Sequence, residues 1–298
     1  MISIVITSFK ESKTIGRAIE NFLNQDVLKK QKFEIIVSTP DKGTIDVVKK
    51  YQKKNKNIKL FQDPGKGKAL AMNLLLPTLK GDILIFSDGD VFIQKNSLKY
   101  LLGSFKDKNV GCATGRPIPI NSRGNIFGYW SHLLCDAGAH EARLKRWKKG
   151  KFIECSGYLF AFRNNIIKKF PLHVAEDLVI PLLFKEKGYK INYSPKAVVY
   201  VKYPNNFRDF IEQKKRTTKG HEALSQYIDS RKLQKTKSFK NELFEGYRAF
   251  FYPETLKEFL WTLLLFPAKF YIYMLVFYHT KIKQQHHKDG WRATKSTK

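Results

Sequence analysis

Residues 2–6, Ile-Ser-Ile-Val-Ile, form a short run dominated by β-branched side chains. A polar break at 7–12 separates it from apolar positions at Ile15, Ala18, Ile19, Phe22 and Leu23. The run is too short for a buried helix, and the second set recurs every three to four residues, so the pattern predicts strand, loop, helix. The same succession continues. Residues 33–37 predict a second strand, the turn-rich stretch 38–43 a loop and 44–56 a second helix, after which 58–61, 69–79 and 81–86 predict strand, helix and strand. Short, continuously apolar strands alternating with helices predict an α/β fold, a mostly parallel sheet flanked by helices on both faces. In such sheets ligands gather beyond the carboxyl ends of the strands, so the loops at 7–12, 38–43 and 87–91 are expected to converge on one cleft.

Past residue 95 the alternation loosens. Helical patterns near 95–105 and 127–149 flank extended segments near 110–114 and 152–163, a helix is expected over about 175–188, and strands at 189–193 and 197–201 follow. After about 225 the composition shifts to a basic stretch at 231–240, an aromatic-rich stretch at 244–252 and the 22-residue segment 259–280, FLWTLLLFPAKFYIYMLVFYHT. Its length suits a bilayer span, yet Pro267 and Lys269 sit at its middle. A central lysine costs about 3 kcal/mol on insertion scales and each Leu, Ile or Phe returns about 0.5 kcal/mol. A single span, two interfacial pieces meeting at the proline, and a core helix pair covering the sheet all fit this pattern. The division expected is a catalytic domain at 1–225 and a helical, basic and aromatic, membrane-associating region at 226–298.

Charge changes the picture next. The chain of 298 residues carries 55 Lys+Arg against 26 Asp+Glu, a formal +29, and the excess is spread through all three thirds of the sequence. A basic arm on a neutral domain is thereby excluded, and 43% hydrophobic residues exclude a disordered basic chain. Such a surface suits anionic lipid, phosphorylated substrates or nucleic acid. Three cysteines without C-x-x-C spacing argue against a disulfide framework and a zinc site, so a reducing, cytosolic setting is expected. The opening apolar stretch is soon interrupted by Lys10 and Glu11, and no export is expected.

Three polar constellations carry candidate chemistry. Asp88-Gly89-Asp90 directly follows an apolar strand, where alternate residues point the same way and two carboxylates can reach one hard cation; a plain Asp-Gly turn is the bland alternative. Glu176-Asp177 opens a predicted helix, either as acidic residues at the positive end of its dipole or as a general base that takes a proton from an attacking hydroxyl. Gln213-Lys214-Lys215-Arg216 offers cationic donors for a diphosphate, or simply a basic helix face. His132, Asp136 and His140 share a predicted helix face that could hold a metal, and Arg143 to Lys151 gathers six basic residues that would suit a phosphorylated acceptor. His286-His287 in the basic tail carries no specific signal. Gly65-Lys66-Gly67-Lys68 lacks P-loop spacing, which argues against nucleotide hydrolysis.

In this order the motifs resemble those of the family 2 inverting glycosyltransferases with the GT-A fold, over roughly residues 1–225. Val5 to Glu11 resembles the family's first nucleotide-binding strand and loop, Gly65 to Ala69 its glycine-lysine segment before a helix ending in Asn73, Asp88-Gly89-Asp90 its D-x-D motif, Cys155-Ser156-Gly157 its acceptor-side loop, Glu176-Asp177 its E-D pair and Gln213 to Arg216 its Q-x-x-R element. The resemblance implies a UDP- or GDP-linked sugar donor and Mg²⁺ or Mn²⁺. It implies donor nucleotide binding by Thr7, Ser8, Glu11, Asp41, Lys68, Asp88, Gln213 and Arg216, metal ligation by Asp90 with Asp88, acceptor binding by Ser156 and Gly157, and base catalysis by Asp177 supported by Glu176. Where the family commonly shows D-G-S-x-D after its second strand, only Asp41 stands here to read the base; and Thr217 rather than Trp follows Arg216, which points to transfer of a single sugar. The expected enzyme therefore works at the cytoplasmic face of a membrane, peripheral, monotopic or single-span, on a lipid-linked or glycan acceptor, with no nucleic-acid partner. The alternative is a basic nucleic-acid-binding protein without transferase activity.

Overall fold

The computed structural model describes residues 1–227, 246–283, 290–291 and 295–297. The basic stretch at 231–240 and His286-His287 lie outside the described residues. The strands are β1 (Ile2–Thr7), β2 (Phe33–Thr39), β3 (Ile58–Gln62), β4 (Ile83–Asp88), β5 (Phe92–Ile93), β6 (Val110–Pro119), β7 (Leu159–Arg163) and β8 (Lys190–Val201). Among the described residues they join in one sheet, ordered β3-β2-β1-β4-β7-β6-β8-β5. The first four are parallel, as the alternating strands and helices predict. Beyond them the sheet is mixed: β7 runs antiparallel to both β4 and β6, β8 lies parallel to β6, and β5 pairs antiparallel with β8. Strand direction leaves no mark on a short apolar run, which is why the mixed half could not be read from the pattern.

Burial explains the continuous apolar strands. Val5, Ile36, Leu84 and Phe86 enter one core with Met72, Phe160 and Phe184, whereas Ile4, Ile6, Ile35, Val37 and Ile85 enter another with Ile15, Ile19 and Phe22. Successive residues serve opposite faces, and both faces are covered. Phe86 stacks with Phe160 and Phe162 at centroid separations of 5.5 and 5.2 Å, tying the parallel half to the mixed half.

Helices α1 (Ile15–Leu23), α2 (Lys42–Lys54), α3 (Lys68–Leu75) and α4 (Ser97–Gly103) follow the expected positions closely. The helix expected over 127–149 is instead α5 (Ile126–Leu133), a π-helical turn Leu134–His140 and α6 (Glu141–Lys148). The π turn breaks the i, i+4, i+8 spacing of His132, Asp136 and His140. Each finds its own partner: His132 meets the Asn121 carbonyl at 2.8 Å, Asp136 accepts from Arg116 at 3.0 Å, and His140 meets the Tyr193 hydroxyl at 2.7 Å. The two strands expected at 189–193 and 197–201 are one, because a register shift sets residues 194–197 against the single Gly115. Gly115 is needed there, since the Ala197 carbonyl would lie 2.5 Å from a Cβ.

Helices α7 (Glu176–Glu186) and α8 (Phe207–Tyr227) touch one another, and α9 (Leu256–Phe277) packs against α5 and α8. The single helix α9 runs through Pro267 without ending, so the two-piece alternative does not hold. Thr255 caps it by accepting from the Glu258 N–H.

Candidate active site

Register brings the polar loops together. Thr7 at the end of β1 pairs with Ser38 on one side and Asp88 on the other, so three strand ends and their loops lie abreast. Because β7 is antiparallel to β4, it begins where β4 ends, with Leu159 opposite Ser87. That reversal delivers Ser156, Gly157 and Tyr158 to the D-x-D end of the sheet, and the Ser87 hydroxyl fastens them by donating to the Tyr158 carbonyl at 2.8 Å.

Lys68, at the first turn of α3, is the hub. Its ammonium lies 2.7 Å from Asp88 Oδ1 and 2.8 Å from Glu176 Oε1, joining the D-x-D and E-D motifs through one cation. Burial pulls the Lys68 pKa down, but the two carboxylates outweigh it and hold the ammonium above its ordinary range. Burial likewise pushes Glu176 up, and Lys68 overturns that, holding its carboxyl below the usual value. Asp177 behaves oppositely. Burial first, and then the neighbouring Glu176 charge, push it up to about 6. Adjacent carboxylates with divergent titration are an arrangement that suits a division of acid–base labour.

Asp177 is positioned by the acceptor-side loop: the Gly157 N–H donates to Asp177 Oδ2 at 3.0 Å, and the Cys155 N–H donates to the Asp177 carbonyl at 3.1 Å. Ser156 is buried, its N–H donating to Thr114 Oγ1 at 2.8 Å. On the other side, Thr7 Oγ1 donates to Asp88 Oδ1 at 3.0 Å and Ser8 Oγ to Glu11 Oε2 at 2.8 Å. Gly89 closes this turn because a Cβ would come within 2.6 Å of both Ser8 Oγ and Glu11 Oε2. Asp90 follows, and its charge is felt by the Tyr158 hydroxyl together with those of Arg216 and Asp88. Thr7, Ser8, Glu11, Lys68, Asp88, Asp90, Ser156, Gly157, Glu176 and Asp177 thus form one neighbourhood.

Three further expected members have surroundings of their own. Asp41 caps α2 and is saturated, accepting from the N–H groups of Lys10 and Thr44 at 2.7 and 3.0 Å and from the hydroxyls of Thr39 and Thr44 at 3.0 and 2.9 Å. Gln213 lines a small cavity between α5 and α8 with Phe127, Ser131 and Phe210. Arg216, three residues on, is exposed and acts electrostatically on Glu176.

Motif reading missed three residues. Asp63, just after β3, is buried and accepts from Ser38 Oγ at 3.2 Å and the Gly65 N–H at 2.8 Å. Glu154 and His221 face one another at 3.4 Å, and both act on Asp177. Neither has a sequence signal: Asp63 sits in no recognised spacing, and Glu154 and His221 are brought together only by the fold.

Among the described residues no cluster of three or more His, Cys, Asp or Glu side chains could hold a metal by itself. Asp88 and Asp90 supply two hard oxygen donors one residue apart, a set that fits Mg²⁺ or Mn²⁺ when a diphosphate completes the shell.

Comparison with known proteins follows the same lines. Residues 3–170 match the model of the family described as glycosyl transferase family 2. The chain is 26% identical over 234 residues to "Probable glycosyltransferase YdaM" of Bacillus subtilis (strain 168), covering 75% of this chain and 56% of that protein. It is 25% identical over 252 residues to the poly-beta-1,6-N-acetyl-D-glucosamine synthase of Staphylococcus aureus (strain COL), covering 80% of this chain and 58% of the synthase. The chain therefore spans little more than half the length of these relatives. Among solved structures, the mannosyltransferase PcManGT from Pyrobaculum calidifontis in complex with GDP-Man and Mn²⁺ superposes with a TM-score of 0.63 at 17% identity, over 95% of this chain and 82% of that one. S. aureus TarS 1-349 superposes at 0.50 and 19% identity, over 95% and 81%. At these identities the superpositions establish the fold, a GT-A-type mixed sheet flanked by helices.

Proposed function

This chain belongs to glycosyl transferase family 2, and from that premise we propose that it is an inverting glycosyltransferase moving a single sugar from a UDP- or GDP-linked donor to a lipid-linked or glycan acceptor at a membrane surface. One observation carries the reading: Lys68 joins Asp88 to Glu176 beside a carboxyl raised to about 6. In the proposed reaction Asp177 takes the proton of an acceptor hydroxyl while that oxygen bonds to the anomeric carbon. The bond from that carbon to the diphosphate breaks on the opposite face, and its electron pair leaves with the diphosphate. Lys68 and Arg216 supply positive charge where negative charge develops. Asp88 and Asp90 would hold Mg²⁺ or Mn²⁺, whose chemistry there is neutralisation of the leaving diphosphate.

Helix α9 supports the membrane surface and favours an orientation flat upon it. Among the described residues it is the one helix long and apolar enough to cross a bilayer. Its buried face, Glu258, Thr262, Leu265, Ala268, Ile272 and Val276, extends from residue 258 to residue 276, or about 27 Å at 1.5 Å rise per residue. A spanning orientation would carry α8, with Arg208, Asp209, Glu212, Lys215 and Arg216, into hydrocarbon, at high cost in desolvated charge. The opposite face leaves Leu260, Leu263, Leu264, Phe270 and Met274 more than two-fifths exposed. A helix half packed and half apolar to the outside is a monotopic anchor, and the basic surface adds attraction to anionic lipid. The cytoplasmic face is favoured by three buried cysteines that are free thiols.

The test is a thermal-shift panel of UDP and GDP with and without Mn²⁺. A Mn²⁺-dependent rise in melting temperature with one of them is expected, and the Asp90→Ala variant should lose it. No shift with either nucleotide sinks the proposal.

A further inference from the structure

Trp291 is found among the strand-end loops, 228 residues along the chain from the side chain it touches. Its indole N–H donates to Asp63 Oδ1 at 3.0 Å, and its ring stacks on Phe9 with centroids 5.8 Å apart and planes 21° from parallel. Phe9 leaves β1 and Asp63 leaves β3, so both stand at the carboxyl ends of parallel strands, where these sheets take their ligands. Asp63 is rigidly presented: it is 4% exposed, with Ser38 Oγ holding one carboxylate oxygen and the Gly65 N–H the other. Asp41, the carboxylate expected to read the base, has its oxygens committed to four internal donors.

A flat ring stacked on an aromatic face, with an in-plane N–H aimed at a fixed carboxylate, is the pair of contacts that recognises a nucleobase bearing a ring N–H. Uracil and guanine carry such a group; adenine and cytosine in their neutral forms do not. We propose that Phe9 and Asp63 form the nucleobase seat of the donor site and that Trp291 is its internal occupant, which a uracil or guanine nucleotide must displace. The inference rests on the nucleotide-donor reading above. A second tether holds the same end of the chain: the Ser296 N–H donates to Asp209 Oδ2 at 3.0 Å, at the start of the helix that carries Arg216. Occupation of a seat by the protein's own side chain lowers apparent ligand affinity by the fraction of time the seat is free.

The experiment measures dissociation constants of UDP and GDP, with Mn²⁺, for the full chain and for Trp291→Ala and Trp291→Phe. Inorganic diphosphate serves as the ligand that lacks a base. Trp291→Ala is expected to tighten the preferred nucleotide by about tenfold, the scale of one aromatic stack with one hydrogen bond. Trp291→Phe, which keeps a ring but loses the donor, should fall between, and diphosphate should bind all three forms equally. Intrinsic fluorescence should change when the nucleotide is added to the full chain, and Trp291→Phe should lose that change. Nucleotide affinity that is unaltered or weakened in Trp291→Ala overturns this inference alone. Failure of every form to bind either nucleotide removes the donor reading, and this inference with it.

Discussion

The strand-end cluster and the layer of α5, α8 and α9 solve opposite problems. Around Lys68 the buried charges are answered from within: the ammonium sits between Asp88 and Glu176, and the Gly157 N–H holds Asp177. In the α9 layer one face is answered in the same way, through the Tyr129–Thr262 hydroxyl pair at 2.6 Å and the Arg123 fork on Glu258 at 3.0 and 2.8 Å. The other face is left apolar and open. The cluster is preorganised, with its donors and charges fixed before a substrate arrives. The helical layer, against the membrane surface proposed above, would bury its apolar face. The difference separates the chemistry from its location, and each half of it can be broken independently.

The largest effect is expected at Asp177. Asp177→Asn keeps the shape and removes the proton acceptor, so transfer should fall by about 10²–10⁴-fold, the range for a general base, with nucleotide binding retained. The same variant should be more stable at neutral pH. Burial raises the folded-state pKa of Asp177 to about 6 against 3.8 unperturbed, so ionisation costs the fold stability from about pH 4 upward, and the cost is complete above pH 6. Asn never pays it. Paired rate measurements and thermal melts at pH 7 check both, and a variant that loses activity together with stability would deny the cluster its catalytic character.

The complementary break is Leu260→Asp with Leu264→Asp, both on the exposed face of α9. Binding to anionic vesicles should weaken by at least about 100-fold, since each of the two leucines withdrawn from an apolar phase forfeits about 1.5–3 kcal/mol. Melting temperature and solution turnover should hold. Unchanged sedimentation with vesicles would leave the face without its bilayer.

These two regions also differed in how far the sequence disclosed them. Residues 2–6, 33–37, 58–61 and 81–86 read as buried strands because most of their apolar positions enter a core on one face or the other, and the parallel register then obliges Thr7, Ser38 and Asp88 to meet. The motifs at Asp88 and Glu176 were readable in the same way. What the motifs could not disclose was Lys68 as the link between them, since that depends on the approach of α3 to α7. Nor could they show that Asp41 is spent on capping α2, because an N-cap and a ligand carboxylate look alike in sequence. The α9 segment carried two contradictory signals, bilayer length and a central Pro267-Lys269. Neither signal disclosed the packing of its Thr262 and Ala268 face against α5 and α8, which underlies the flat orientation proposed above.

A milder break in the cluster is Gly89→Ala. The added Cβ would press Ser8 Oγ and Glu11 Oε2 from 2.6 Å, forcing the turn between Asp88 and Asp90 to shift. Nucleotide affinity in the presence of Mn²⁺ should drop by about tenfold, since overpacking of this kind costs about 1–3 kcal/mol. An unchanged affinity would show that the geometry of this turn does not matter to the donor.

The smallest effect expected is a displacement rather than a loss. Asp177 is raised first by burial and second by the charge of Glu176, and Lys68 acts on it in the opposite sense. Glu176→Gln leaves the burial in place but removes the like charge. It also frees the Lys68 ammonium from one of its two carboxylates, so more of its field reaches Asp177. Both changes favour the ionised base. The acid limb of the transfer rate should therefore move to lower pH while the plateau at neutral pH falls only modestly, and a pH–rate profile of the two proteins reads the displacement directly. A limb that stays in place would mean that burial alone sets the base. A limb that moves to higher pH would mean that Lys68 follows Glu176 out of the site, which would make the carboxylate a positioning residue for the ammonium instead of a charge that tunes its neighbour.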